Sequence, residues 1–190
     1  RRSSDLQLAA LRAIPNLHVF RPADAVEVAE CWELALSSPA TPSILTLTRQ
    51  KLALLRTDIS QNLSAKGAYL LEESQGPREV TLLATGSEVE IALKAQKVLN
   101  EKGIPTAVVS MPCWELFEKQ DQTYQNKILG KNTFRVAIEA ASPMGWEKYI
   151  GERGVIIGMR RFGASAPYET LYHEFGFTRS EERRVGKECL

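Results

Sequence analysis

The sequence predicts an α/β protein: a doubly wound, mostly parallel sheet forming a carboxyl-terminal domain, preceded by a partial βαβ unit of a second α/β domain. Three observations carry this. Apolar runs such as "AVVSM" and "VIIGM" are near-continuous rather than alternating, as strands covered on both faces require. Amphipathic helical patterns alternate with those runs along the chain. Glycine or proline marks most of the changes from one pattern to the other.

Taken in order, residues 17–20 form a short buried strand that Pro22 stops. Asp24 begins a helix, and Glu27, three residues on, completes a reciprocal capping box. Ala25, Val28, Ala29, Trp32, Ala35 and Leu36 recur at helical spacing and are its expected buried stripe. Pro39 breaks the helix, and residues 44–48 are a second strand, parallel to the first through a right-handed crossover. Residues 51–66 are a linker with a short helical turn. The expected domain division is therefore 1–50 for the partial unit, 51–66 for the linker, 67–178 for the carboxyl-terminal domain and 179–190 for a charged tail.

In that domain, residues 67–74 contain a strand leading to a turn at Gly76 and Pro77. Strands follow at 80–84, 106–111, 134–139 and 155–159. Helices follow at 88–102, 114–129, 145–150 and 167–175, the last starting with a proline. The stretch "LLATGSEVEIAL" has the shape of a phosphate-gripping loop: strand, glycine turn, helix. Gly86 permits the turn, and Ser87 with Glu90 predicts a second capping box. It contains neither G-x-G-x-x-G nor G-x-x-x-x-G-K-[ST], and Glu88 would compete with an incoming phosphate. The loop borrows the architecture without the ligand.

A formal net charge of +1 gives no broad attraction for nucleic acid or an anionic membrane. The doublets Arg160-Arg161 and Arg183-Arg184 lack the interleaved aromatics of a nucleic-acid platform. Cys31, Cys113 and Cys189 form no C-x-x-C pair, and His18 and His173 stand apart, so free thiols are expected and a zinc site is not. No apolar run has membrane-span length, and the amino end has no secretory apolar region. A cytoplasmic protein is expected.

Ligands of parallel sheets collect at the carboxyl ends of strands. "ILTLTRQ" delivers Arg49 and Gln50 to such an end, where an arginine either meets a phosphate bidentately or pairs with a surface carboxylate. The residues alone leave both readings open. Arg21, at the end of the preceding strand, is a weaker copy of the same idea. Glu139 ends a strand in "VAIEAAS" and is the one carboxylate placed to look catalytic, but with no partner acid nearby its structural reading is preferred. "FGASAP" is expected to be a tight loop before a helix.

In combination, "IPNLHVFRPADAVEV", "LTLTRQKL", "LLATGSEVEIAL", "VVSMPCWELFEKQD", "VAIEAASPMGWEKYIG" and "GMRRFGASAPYETLYHEFGFT" strongly resemble the carboxyl-terminal part of transketolase over roughly residues 8–178. The resemblance implies a transferase of the pentose phosphate pathway, usually a cytoplasmic homodimer. It would use thiamine diphosphate and a divalent cation (magnesium or calcium) to move a two-carbon ketol unit from a ketose phosphate to an aldose phosphate. It further implies that Arg49 binds the sugar-phosphate end of the substrate. No residue of this stretch is implied to be catalytic or to bind cofactor or metal, because the family's Gly-Asp-Gly motif, its activating glutamate and its substrate histidines lie upstream of Arg1.

Two departures stand out. "RRSSD" occupies the place of a histidine-bearing segment, and "RSEERRVGKECL" lacks the family's final apolar-periodic helix and looks like sequence joined from elsewhere. By itself the chain is expected to be inactive. The alternative reading is a non-catalytic α/β module for dimerisation or for binding a phosphorylated metabolite.

Overall fold

The computed structural model describes residues 4–161 and 163–177. Thr178, the charged tail, Arg183-Arg184, Cys189 and Phe162 of the "FGASAP" loop lie outside the described residues. The chain opens with a helix absent from the sequence reading, α1 (Ser4–Arg12). Few of its apolar residues are covered: Leu8 is buried and Leu11 partly so, in a cluster with Leu17, Val19, Ile44 and Ala141.

Next come β1 (His18–Phe20), α2 (Ala25–Leu36) and β2 (Ser43–Leu45). β1 and β2 pair in parallel from His18↔Ser43 to Phe20↔Leu45, the crossover expected of a βαβ unit. Asp24 caps α2 by accepting from the Glu27 amide at 2.9 Å. Glu27 reaches back one residue further than the reciprocal box requires, accepting from the Ala23 amide at 2.6 Å.

The face that α2 buries corrects the sequence reading. Glu27, Glu30 and Cys31 point inward, whereas Ala25 and Ala29 are exposed, Trp32 is 50% exposed and Leu36 76%. The reason is the set of donors that residues further along the chain offer this helix. Glu27 accepts from Tyr69 Oη at 2.7 Å and Ser110 Oγ at 2.5 Å. Glu30 accepts from Arg56 Nη2 at 2.5 Å and Ser64 Oγ at 2.7 Å. Satisfied carboxylates can be buried, so the apolar stripe is left facing out.

A 3₁₀ turn (Leu63–Lys66) closes an irregular stretch at Gly67, whose φ of 76° is left-handed. A Cβ there would lie 2.1 Å from the Phe117 amide nitrogen, so only glycine lets the chain pass Phe117 this closely.

The second sheet contains β3 (Tyr69–Glu72), β4 (Val80–Ala84), β5 (Thr106–Ser110), β6 (Phe134–Glu139) and β7 (Val155–Gly158) in the order β3-β5-β4-β6-β7. Only β3 runs antiparallel; the other pairings are parallel. Its helices are α3 (Glu88–Glu101), α4 (Trp114–Glu118), α5 (Gln122–Leu129), α6 (Glu147–Ile150) and α7 (Tyr168–Phe175). Side chains alternate between layers: Leu82 and Ala84 pack with Val89, Ala92 and Leu99 of α3, while Leu83 joins Trp114, Phe117 and Trp146 on the opposite face. The sheet is thus covered on both sides.

Two local expectations fail here. The helix expected over 114–129 is two helices, because Asp121 caps the second by accepting from the Tyr124 amide at 2.8 Å. A short acidic side chain in mid-pattern competes for the backbone and restarts the helix. Ser87 makes no capping bond to α3; its hydroxyl donates to Glu88 Oε1 at 2.7 Å instead.

The exposed Trp32–Leu36 face predicts association of the 190-residue protein with rising concentration. Replacing Trp32 by serine and Leu36 by glutamate is expected to reduce that association while changing folding stability by about 0.5 kcal/mol or less. Sedimentation over a concentration series and a denaturant titration check the two halves.

Candidate functional site

The carboxyl ends of β1, β2, β4 and β6 converge where the two sheets meet. β1 docks there through its backbone: the Arg21 amide donates to Pro112 O at 2.8 Å, and the Gly86 amide donates to Arg21 O at 3.0 Å. Gly86 has φ 56°, and a Cβ on it would lie 3.0 Å from the Arg21 side chain. The glycine turn therefore does grip a charged group, one supplied from within. Arg21 Nη1 donates to Thr85 O at 2.7 Å and to Thr85 Oγ1 at 2.6 Å, and forms an ion pair with Glu88.

Glu88 is fully occupied. Its Oε1 accepts from Ser87 Oγ and from Tyr172 Oη, each at 2.7 Å, and its Oε2 accepts from the Ala140 amide at 3.1 Å. Burial alone would lower the Arg21 pKa; the charges of Glu88 and Glu139 outweigh it and raise it.

Glu139 is equally committed. Arg12 meets it bidentately, Nη1 to Oε2 and Nη2 to Oε1, both at 2.8 Å. Thr85 Oγ1 donates to Oε1 at 2.6 Å and Trp146 Nε1 to Oε2 at 2.9 Å. The Arg12 guanidinium also stacks 3.5 Å from the Trp114 ring centre. Burial pushes the Glu139 carboxyl up, but Arg12, then Arg21 and Thr85, override it and hold the pKa at about 2. An acid with both oxygens saturated and ionised has no role as a proton shuttle. Arg21 and Glu139 are structural.

Arg49 differs. It follows β2 at the carboxyl end, is exposed, and makes no hydrogen bond or ion pair among the described residues. Its chain neighbours Thr48 and Gln50 line a cleft of about 350 Å³, together with Arg21, Thr46, Ser87 and Tyr172 among others. The loop is fastened at its start by Thr46, whose amide and hydroxyl both donate to Phe20 O, at 2.8 and 2.9 Å. Gln50 Nε2 donates to Tyr172 Oη at 3.0 Å.

The sequence reading did not reach Arg12, Thr85 or Tyr172, and took Glu88 only as a helix-start charge. Nothing local marks them, since their partners are up to 127 residues away along the chain.

His18 is buried, with Nε2 3.1 Å from Lys119 Nζ, and burial followed by the Lys119 charge lowers its pKa. Cys31 and Cys113 are buried free thiols, held up in pKa first by burial and then by neighbouring Glu27 and Glu115 respectively. Among the described residues no three His, Cys, Asp or Glu side chains are grouped to hold a metal. The carboxylates that are buried already carry protein donors, and Glu88 stands at the start of α3. The residues present do not fit a divalent cation or a diphosphate.

The model of the transketolase-like C-terminal domain matches residues 67–178, more than half of the chain, and that of the transketolase pyrimidine-binding domain matches residues 2–53. The chain belongs to the transketolase family. It is 57% identical to the transketolase of Sinorhizobium medicae over 90% of its own length and 25% of that protein's. It is 55% identical to that of Rhodobacter capsulatus, over 90% and 26%. The chain thus spans about a quarter of the length of the curated relatives it matches. Among solved structures, a Pichia stipitis transketolase in complex with sedoheptulose 7-phosphate aligns with TM-score 0.87 and 37% identity, covering 97% of this chain and 27% of that one. The Leishmania mexicana transketolase aligns with TM-score 0.86 and 40% identity, over 97% and 27%.

The ion cluster yields a pH prediction. Glu139 has a folded pKa of about 2, below its unfolded value of about 4.3. Its contribution is present above the unfolded value and is lost as pH falls through the folded one. Glu139→Gln is expected to cost about 3–5 kcal/mol near neutral pH, with the gap to the parent narrowing as the pH falls below about 4. Denaturant unfolding of both proteins across that pH range tests this.

Proposed function

We propose that this chain is the carboxyl-terminal portion of a thiamine-diphosphate-dependent transketolase and contributes Arg49 as the ligand for the phosphate of the sugar substrate. The division of labour follows the sequence expectation: residues 1–50 complete a pyrimidine-binding domain, 51–66 link, and 67–178 form a carboxyl-terminal domain. Thiamine diphosphate and the magnesium or calcium ion belong to the rest of the chain, in a cytoplasmic homodimer. A reducing compartment agrees with the buried free thiols.

The observation carrying the proposal is Arg49, exposed and unpaired among the described residues, beyond a strand's carboxyl end and between Thr48 and Gln50, which line the cleft. Arg21, at the equivalent end of β1, is consumed by Glu88. Arg160 also follows a strand, but that strand is at the outer edge of the second sheet, away from the cleft. The neighbours solved with sedoheptulose 7-phosphate and with fructose 6-phosphate support a phosphosugar as ligand.

A guanidinium meets a phosphate through two parallel N–H bonds, and a contact of this kind contributes about 1.5–3 kcal/mol. It holds the substrate's far end equally before and during the reaction, so its loss appears in KM rather than kcat. In the full-length enzyme Arg49→Ala is expected to raise KM for phosphorylated sugars roughly ten- to hundredfold. Steady-state kinetics decide, and an unchanged KM overturns the assignment. The purified 190-residue protein is expected to show no ketol transfer in a coupled assay. Turnover by it would remove the need for the upstream domains.

A further inference from the structure

We propose that the carboxyl-terminal domain sets the position of Arg49 through Tyr172, making Tyr172 and Gln50 positioning residues for the sugar-phosphate contact. The inference rests on the reading of Arg49 given above. It gives the second domain a task in substrate binding.

Between Thr46 and Leu55 the chain runs without regular structure. Thr46 fastens one end to Phe20 O, and the amides of Leu55 and Arg56 fasten the other to Asp24 Oδ2, at 2.9 and 3.3 Å. Inside that span, Leu47 is 54% exposed and Leu54 56%, and only Leu52 is half-buried, in a cleft it lines with Ile91 and Phe177, so apolar packing restrains the loop weakly. The Gln50 amide donates to Thr48 Oγ1 at 3.3 Å, a bond internal to the loop. Among the described residues, one hydrogen bond ties the interior of the loop to the rest of the protein: Gln50 Nε2 to Tyr172 Oη. Gln50 is the immediate neighbour of Arg49.

Tyr172 is itself held firmly. Its hydroxyl donates to Glu88 Oε1 at 2.7 Å, and its ring packs against Phe177 and Tyr168 with centres 5.8 and 5.9 Å away. With its hydrogen directed at Glu88, the phenol oxygen presents a lone pair, the complement of the Gln50 amide. Glu88 is in turn fixed by Arg21, Ser87 and the Ala140 amide. Burial, then the Glu88 charge, raises the Tyr172 pKa, which keeps the phenol protonated and the polarity of this chain of bonds fixed. A rigid path therefore leads from the buried ion cluster to the residue beside Arg49. Releasing Gln50 leaves Arg49 its charge but widens the range of positions from which it must meet the phosphate.

The test is steady-state kinetics of the full-length enzyme carrying Tyr172→Phe, Gln50→Ala, Arg49→Ala and the doubles with Arg49→Ala. Tyr172→Phe is expected to raise KM for a phosphorylated ketose about three- to tenfold, with kcat within about twofold. KM for an unphosphorylated ketose should not change, and in the Arg49→Ala background Tyr172→Phe should add nothing. Gln50→Ala, a change at the loop surface, should reproduce the effect and stands in if Tyr172→Phe lowers folding stability. If Arg49→Ala raises KM while the other two variants leave it unchanged, the positioning role is wrong and the phosphate assignment survives. Equal rises for phosphorylated and unphosphorylated ketoses also overturn the role. An Arg49→Ala enzyme with unaltered KM removes the assignment and this inference together.

Discussion

Arg12 and Arg21 enter from the amino-terminal unit, Glu88 and Glu139 from the carboxyl-terminal domain, and all four charges are buried where the two sheets meet. Moving such ions out of water costs several kcal/mol each, and the cost is recovered only when every charge faces its opposite and the remaining lone pairs are filled. Here they are filled, by Thr85, Trp146, Ser87, Tyr172 and the Ala140 amide. Because the cations and the anions come from different units, the cluster is satisfied in one relative placement of the two. An apolar contact would tolerate sliding; a set of directed bonds does not.

That constraint accounts for the neighbouring details. Gly86 is a glycine because the Arg21 side chain lies over it. The strand–turn–helix that resembles a phosphate loop is occupied by a guanidinium, with Glu88 at the position where an anion would otherwise be welcomed. Arg21 and Glu139 are both spent on the join, whereas Arg49 stands outside the cluster while its neighbour Gln50 is tied to it through Tyr172.

Much of this could be read from local sequence. Strand runs, glycine stops and proline starts gave the order of elements, and the parallel crossover of residues 18–45 followed from strand–helix–strand. Arg49 could be singled out because a strand's carboxyl end is a place in the chain as well as in space. Errors arose where two local rules competed. The apolar spacing on α2 was real, but Glu27 and Glu30 on the opposite face found donors in Tyr69, Ser110, Arg56 and Ser64, and those bonds turned the helix. Asp121 fitted a continuing helix by spacing and ended it by capping. α1 escaped notice because the residues that cover its Leu8 and Leu11, among them Val19, Ile44 and Ala141, come from other parts of the chain.

What the sequence by itself determined is whatever depends on neighbours along the chain: the order of most elements, the turn at Gly86, the Asp24 cap, and the strand end that precedes Arg49. Periodicity and capping act over a few residues, so they are written locally. Only the tertiary structure decided which face of α2 is buried, that Arg12 neutralises Glu139, that Arg21 fills the glycine turn, and that Tyr172 holds Gln50. Those outcomes turn on desolvated charges and hydrogen-bond partners separated by 26 to 127 residues. A lone arginine or glutamate in sequence has the same appearance whether it ends in solvent or in an ion pair, because the energy that distinguishes the two exists only once the partner has been brought within reach.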